Sequence, residues 1–364
     1  MLPEVGHINA TLRIARRLLA AGAEVFYLRF SSSASALGLV QVRSVTSYRS
    51  IYQEPLRFND DNPELFQIEA LSSKPLSLLS DQAHSELGCL RARLKVLATD
   101  IQPDLVLIDA VLPRLAMLAA SEGVRLDLLN TSLFNPIDLG STGFESLISQ
   151  TEIILCPREF DFLRAAKRCR HIYAEPSVDT EREEVPFPWE GVREDRQLVY
   201  CAIGSHVALL DPEGHFLQLI ADVFEELADT QLVVSGMSRP ADLRGDSIWV
   251  EEAPQLALLQ RARMMISHGG LGSIKECVFH RVPMLIFPFI PEQSLNAGRI
   301  EYHGLGMRGG HQTARIDSVR EMADTVLNSP SIRANLARMS DIFRRYDERS
   351  SSIDLILEHA THAN

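Results

Sequence analysis

Long apolar runs are absent from this chain of 364 residues. Nothing approaches the roughly 18–20 apolar residues that a membrane-spanning helix requires, and the N-terminus lacks the apolar stretch of a secretory leader. Both absences point to a cytoplasmic protein without integral membrane association. Cysteine is scarce as well. Cys89, Cys156, Cys169, Cys201 and Cys277 are odd in number, widely spaced and form no C-x-x-C. That pattern fits buried free thiols in a reducing compartment and argues against a zinc site. Positive charge is in deficit: Lys and Arg total 36 against 48 Asp and Glu, for a net charge of −12 and a pI of about 5.4. Nucleic acid is therefore not an expected partner, because binding it takes clustered cations that displace counterions. An anionic ligand would have to be held locally, by backbone N–H groups and a helix dipole.

What is present suits a folded core: hydrophobic residues make up 46% and charged residues 23%. The length exceeds what one core usually spans, so two domains are expected. Strand-like and helix-like patterns alternate through both halves. Leu12–Ala21 reads as a helix, Glu24–Leu28 as a strand, and 31–62 as a Ser-rich, polar loop region. Helical spacing returns from Gln82 to Thr99, and Asp104–Ile108 reads as a buried parallel strand. Residues 176–196 hold three prolines, many charges and no period, as an interdomain linker would. Beyond it, strands at Leu198–Ile203, Gln231–Val234, Met264–Ser267 and Pro283–Phe287 alternate with helices, and Ser331–Ala360 reads as one long helical pattern. Strands separated by helices imply right-handed βαβ units. The expected architecture is α/β, with two doubly wound parallel-sheet domains at 1–175 and 197–345. Ligands of such folds sit at the carboxyl ends of the strands, here expected in the cleft between domains. Very few residues, beginning Met1, Leu2 and Pro3, precede the first motif. An opening strand of about 5–6 residues would be normal there, so part of it is expected to be missing.

Four segments carry chemistry. Ser267-His268-Gly269-Gly270-Leu271-Gly272-Ser273 lies between an apolar strand and a helix. Its glycines admit close backbone approach, and the helix start offers free N–H groups that suit a diphosphate. It is neither G-x-G-x-x-G nor a Walker loop, so dehydrogenase and P-loop readings lose support. Taken alone, a glycine-rich turn with a core histidine explains it equally well. Gly6-His7-Ile8-Asn9 places a histidine at the first helix, where neutral imidazole can take a hydroxyl proton near pH 7. Alone, an exposed turn histidine is the commoner case. Asp109 follows the Asp104–Ile108 strand and could orient His7, although a helix-capping aspartate fits too. Gly204-Ser205-His206 offers another turn for phosphate approach, or a tight turn and nothing more.

Together these segments resemble the inverting UDP-glycosyltransferase family of GT-B fold, which includes plant natural-product and bacterial macrolide glycosyltransferases. The resemblance is densest over Ala253–Gly306, which is similar to the family's nucleotide-sugar signature. GHINATLRIARRLLAAGAEVFYL, PDLVLIDAVLP and VYCAIGS resemble its N-terminal histidine motif, its acidic-partner strand and the first strand of its donor domain. The resemblance implies an acceptor-binding first domain, a donor-binding second domain, and a C-terminal helix within 346–364 that crosses back to the first. It implies His7 as general base and Asp109 as its partner. His268, with Gly269, Gly270, Gly272, Ser273 and Ser205, would hold the diphosphate. Glu276 would accept from the ribose, Glu292 and Gln293 would bind the sugar, and Gln255 and the backbone at Ala253 would read the base. The implied reaction moves a hexose from a UDP- or dTDP-sugar to a small, hydrophobic acceptor with inversion and without a metal. Glu252 stands where many members carry an aromatic residue that stacks on the base, and Ala10 where proline is common. A sugar-nucleotide epimerase or hydrolase, and a non-catalytic nucleotide-sugar-binding accessory protein, remain alternatives on the same fold.

Overall fold

The computed structural model describes residues 5–29, 38–47, 81–134, 147, 149–162, 170–204, 211, 213–227, 229–236, 239–243 and 245–361. The chain divides into two compact units, Met1–Asp179 with Tyr346–Asn364, and Thr180–Arg345.

The first unit opens with α1 (Val5–Ala20), whose Ile8, Leu12, Ala15 and Ile14, Leu18 form two buried rows at helical spacing. Its parallel sheet runs in the order β3 (Val106–Asp109), β4 (Leu126–Asn130), β5 (Thr151–Ile154), β6 (Arg170–Tyr173). Between β3 and β4 comes α3 (Pro113–Ser121), which starts with proline at its first turn, where a missing N–H costs nothing. Ile108, Leu112, Leu115, Ala116 and Leu128 pack there, with Leu90 and Leu94 of α2 (Asp81–Val96). The strand expected at Glu24–Leu28 is β1 (Val25–Arg29), but its partner is unexpected. It pairs antiparallel with β2 (Gly38–Val42), inside the segment read as loop. Its five residues, Gly-Leu-Val-Gln-Val, are too few to stand out from the serine run beside them.

The helical pattern of Ser331–Ala360 is two helices, α9 (Pro330–Arg349) and α10 (Ser351–Thr361), parted by Ser350 at φ 47°, and α10 is the C-terminal helix expected within 346–364. A left-handed residue cannot continue a right-handed helix. Ile353 and Ile356 of α10 pack against Ile14, Leu18, Leu129 and Ile153 of the first unit. Glu175 accepts hydrogen bonds from the Ser352 N–H at 3.1 Å and its hydroxyl at 2.5 Å.

The second unit holds one six-stranded parallel sheet. Its strands are β7 (Gln197–Ala202), β8 (Thr230–Ser235), β9 (Ile248–Val250), β10 (Met264–Ser267), β11 (Met284–Ile286) and β12 (Gly306–Arg308), in the order β12-β11-β10-β7-β8-β9. The helices are α4 (His215–Glu225), α5 (Gln255–Leu259), α6 (Leu271–His280), α7 (Pro291–Tyr302) and α8 (Ile316–Asn328). Helix α4 shows why the sequence folds so. Phe216, Leu217, Ile220, Ala221 and Phe224 are buried on one face, and the Asp211 carboxylate accepts from the N–H groups of His215 and Phe216 at its start. The chain winds outward from β7 in one direction and from β10 in the other. The crevice at that reversal, beyond the carboxyl ends of β7 and β10, is where ligands of such sheets bind.

Among the described residues no helix is long and apolar enough to cross a membrane. Cys156, Cys201 and Cys277 are buried free thiols as expected; Cys89 is free but exposed, and Cys169 lies outside the described residues.

Candidate functional site

In the first unit, three residues distant in sequence meet around one imidazole. His7 lies in the first turn of α1, and its Nδ1 is 2.7 Å from Oδ2 of Asp109, the last residue of β3. Asp109 is 0% exposed. Burial raises its carboxyl, but the facing His7 and the Val111 N–H outweigh that and hold it below the ordinary 3.8. An ionised carboxylate only accepts, so the Nδ1–H bond to it favours the tautomer with a lone pair on Nε2, the form a general base needs. Thr131, just past β4, brings its Oγ1 within 2.9 Å of the same Nδ1.

The loop carrying Thr131 is fixed from behind. Asn130 Oδ1 accepts from the N–H groups of Ser132 and Leu133 at 3.1 and 2.7 Å, and Leu133 takes a left-handed φ of 59°. Asn130 Nδ2 donates to buried Glu152 at 2.5 Å, and Glu152 faces His171 at 3.0 Å. No sequence motif marked Thr131, since a lone threonine after a strand carries no pattern.

In the second unit, the glycine-rich turn leaves β10 at the switch point. The half-buried imidazole of His268 lies between two glycines. A Cβ at Gly270 would stand 2.7 Å from its Nε2, and one at Gly204, just after β7, 2.8 Å from its Cε1. Gly269 has a φ of 91°, and a Cβ there would meet Ile286 at 2.9 Å and the Gln293 carbonyl at 3.1 Å. Asn296 Nδ2 holds the Gly269 carbonyl at 3.1 Å. Gly272 has open space on its side-chain face. The turn thus aims the first N–H groups of α6, which have no intrahelical partner, toward the crevice. Ser205 lies outside the described residues.

Glu276 sits one turn beyond Ser273 and is buried. Arg182 donates to it twice, NH1 to Oε1 and NH2 to Oε2, the latter at 3.2 Å. Gln255 Nε2 adds a third bond to Oε2 at 2.6 Å and reaches Ser273 Oγ at 3.3 Å. Burial raises the Glu276 carboxyl, yet Arg182 and Gln255 hold it below the ordinary 4.5. Arg182 also faces Glu184 at 3.5 Å, whose oxygens accept the Leu256 and Ala257 N–H groups at 2.8 and 3.0 Å. Arg182 and Glu184 belong to the stretch read as a bare linker, where a dense run of charges hid two structural ones. The Gln255 side chain, expected at the base, is turned toward Glu276, while half-buried Ala253 lies just ahead of α5.

Glu292 and Gln293 begin α7. Glu292 is half-buried. Gln293 Oε1 is taken by the N–H groups of Phe289 and Ile290 at 2.8 and 3.2 Å, so the side chain shapes this turn and offers its amide NH₂ rather than its oxygen. Among the described residues no cluster of His, Cys, Asp and Glu could hold a metal ion.

Comparison with known proteins identifies the family and the fold. The family model for UDP-glucoronosyl and UDP-glucosyl transferase matches residues 174–355. The NDP-glycosyltransferase YjiC of Bacillus subtilis is 22% identical across 93% of this chain and 90% of its own length. Rabbit (Oryctolagus cuniculus) UDP-glucuronosyltransferase 1A6 is 31% identical over 40% of this chain and 28% of its own. The solved structure of the spinosyn forosaminyltransferase SpnP shares the fold at a TM-score of 0.72 and 20% identity, covering 99% of this chain and 98% of that one. The glycosyltransferase VinC, solved in complex with dTDP, does so at 0.69 and 18%, covering 99% and 98%. The fold is that of the GT-B glycosyltransferases, and the chain belongs to the UDP-glucoronosyl and UDP-glucosyl transferase family.

Proposed function

We propose that this glycosyltransferase moves a hexose from a UDP- or dTDP-sugar to a hydroxyl of a small, hydrophobic acceptor, with inversion and without a metal. The observation that carries the reading is the 2.7 Å pair of His7 with buried, ionised Asp109. His7 Nε2 takes the proton of the acceptor hydroxyl, and Asp109 stabilises the imidazolium that results. The acceptor oxygen attacks the anomeric carbon from the face opposite the leaving group, and the C–O bond to the nucleoside diphosphate breaks. The departing charge is met by His268 and the start of α6, which takes the place a metal would otherwise fill. Glu276 accepts from the nucleotide's sugar ring, and Glu292 with the Gln293 amide addresses the hexose. The complexes of VinC and of the spinosyn rhamnosyltransferase SpnG with thymidine diphosphate support a nucleoside diphosphate as the donor's leaving half. A base-and-carboxylate pair also favours transfer over the accessory-protein reading, which has no use for one.

The test is product analysis. UDP- and dTDP-hexoses are incubated with a panel of apolar phenol and polyketide alcohols in the presence of chelator. A glycoside of inverted anomeric configuration supports the reading. Retention, a strict metal requirement, or epimerised or hydrolysed donor without glycoside overturns it.

A further inference from the structure

The second unit contains a charge arrangement that donor binding alone does not require. Glu276 is buried, and its two oxygens already receive three hydrogen bonds, two from Arg182 and one from Gln255. An ionised carboxylate offers about four acceptor positions. One is left. A ribose presents two neighbouring hydroxyls, at C2′ and C3′, and a carboxylate that grips both needs two open positions. A 2′-deoxyribose presents only the C3′ hydroxyl.

Arg182 does not yield readily. Its side chain is 10% exposed and that of Glu276 8%, so parting them would strand a guanidinium and a carboxylate away from water. Arg182 is held as well by Glu184, which meets the same NH2 at 3.5 Å and is itself anchored by two N–H groups of α5.

We propose that Arg182 is a specificity-determining residue: by occupying Glu276 it leaves room for a single hydroxyl and turns the nucleotide site toward 2′-deoxyribonucleoside diphosphates. This rests on the assignment of Glu276 to the nucleotide's sugar ring. A ribonucleotide entering this site buries a 2′-hydroxyl without its carboxylate acceptor, which costs affinity; the deoxy form has nothing to lose.

The test uses UDP and 2′-deoxy-UDP, which differ by one oxygen, titrated into the intact protein by calorimetry. The wild type is expected to bind 2′-deoxy-UDP at least as tightly as UDP. Arg182→Met keeps an unbranched apolar stem and removes the guanidinium donors. It should reverse the order, with UDP gaining on 2′-deoxy-UDP by about tenfold or more, the value of a hydrogen bond to a charged group. Wild-type protein that favours UDP tenfold overturns the proposal without needing any variant, and so does a ratio that Arg182→Met leaves unchanged. Glu276→Gln separates the two layers. Unaltered affinity for both nucleotides in that variant removes Glu276 from the sugar-ring site and the proposal with it. Affinity that depends on Glu276 while UDP is preferred removes only the role of Arg182.

Discussion

The two units build their sites in opposite ways. In the second, the candidate residues apart from Ser205 fall between Ala253 and Gln293, at three helix starts and the glycine-rich turn before the second of them. In the first, His7 comes from a helix more than a hundred residues before the strand end that carries Asp109 and the loop that carries Thr131. A contiguous site is held by local geometry: glycines at 204, 269 and 270 make the space that His268 and the turn occupy. A dispersed site depends on the whole sheet, because β3 and β4 must be in register for Asp109 and Thr131 to reach the same nitrogen. The first unit's site should therefore act on turnover, and the second's on nucleotide affinity.

The largest effect expected is on the dispersed site. His7→Ala should lower turnover by roughly 10²–10⁴-fold, the usual weight of general-base catalysis, while calorimetry shows nucleotide affinity close to wild type. Equal losses in both would erase the division between the units. Next comes Gly270→Ala, whose Cβ would stand 2.7 Å from His268 Nε2 and push the ring aside. Nucleotide affinity should fall by about ten- to a hundredfold, as for the loss of one bond to a charged group, and His268→Ala should match it. Thr131→Val keeps the side chain's shape and removes the hydroxyl 2.9 Å from His7. A several-fold loss of turnover, about that of one neutral hydrogen bond, is expected in steady-state kinetics, with nucleotide affinity unmoved.

The smallest effect is on stability against pH. The Asp109 and Glu276 carboxyls are both held below their ordinary values of 3.8 and 4.5. A depressed carboxyl stabilises the fold fully above its ordinary value, and that contribution is lost as pH falls through the folded value. Melting temperature should thus owe no pH dependence to either pair near neutrality and fall in acid, below about pH 4.5. Asp109→Asn should blunt part of that acid fall; an unchanged acid limb would show that the carboxyl is not depressed.

The same contrast decides what the sequence could tell. Strands β7 to β11 and their helices were legible because each buried parallel strand is a continuous apolar run bounded by polar residues, as in Met264–Ser267. The short β2, β6 and β12 were not, since glycine or polar residues interrupt the apolar run that marks the equally short β9 and β11. His7 and Asp109 stand out by their places at a helix start and a strand end, each with a structural reading beside it, and the flanking family motifs weigh for the pair. Thr131, Arg182 and Glu184 stayed hidden, because each is defined by what it touches and not by its neighbours in the chain. Gln255 is expected at the base and Gln293 at the sugar; that Gln255 bonds Glu276 and Gln293 bonds the Phe289 N–H follows from side-chain geometry that spacing does not encode.

The most direct test of the central claim is calorimetric titration of the intact protein with UDP, dTDP and GDP, repeated with His268→Ala. The account predicts selective binding of the pyrimidine nucleotides, strongly weakened in the variant. Binding to none of the three, or binding that ignores both the base and His268, would contradict it.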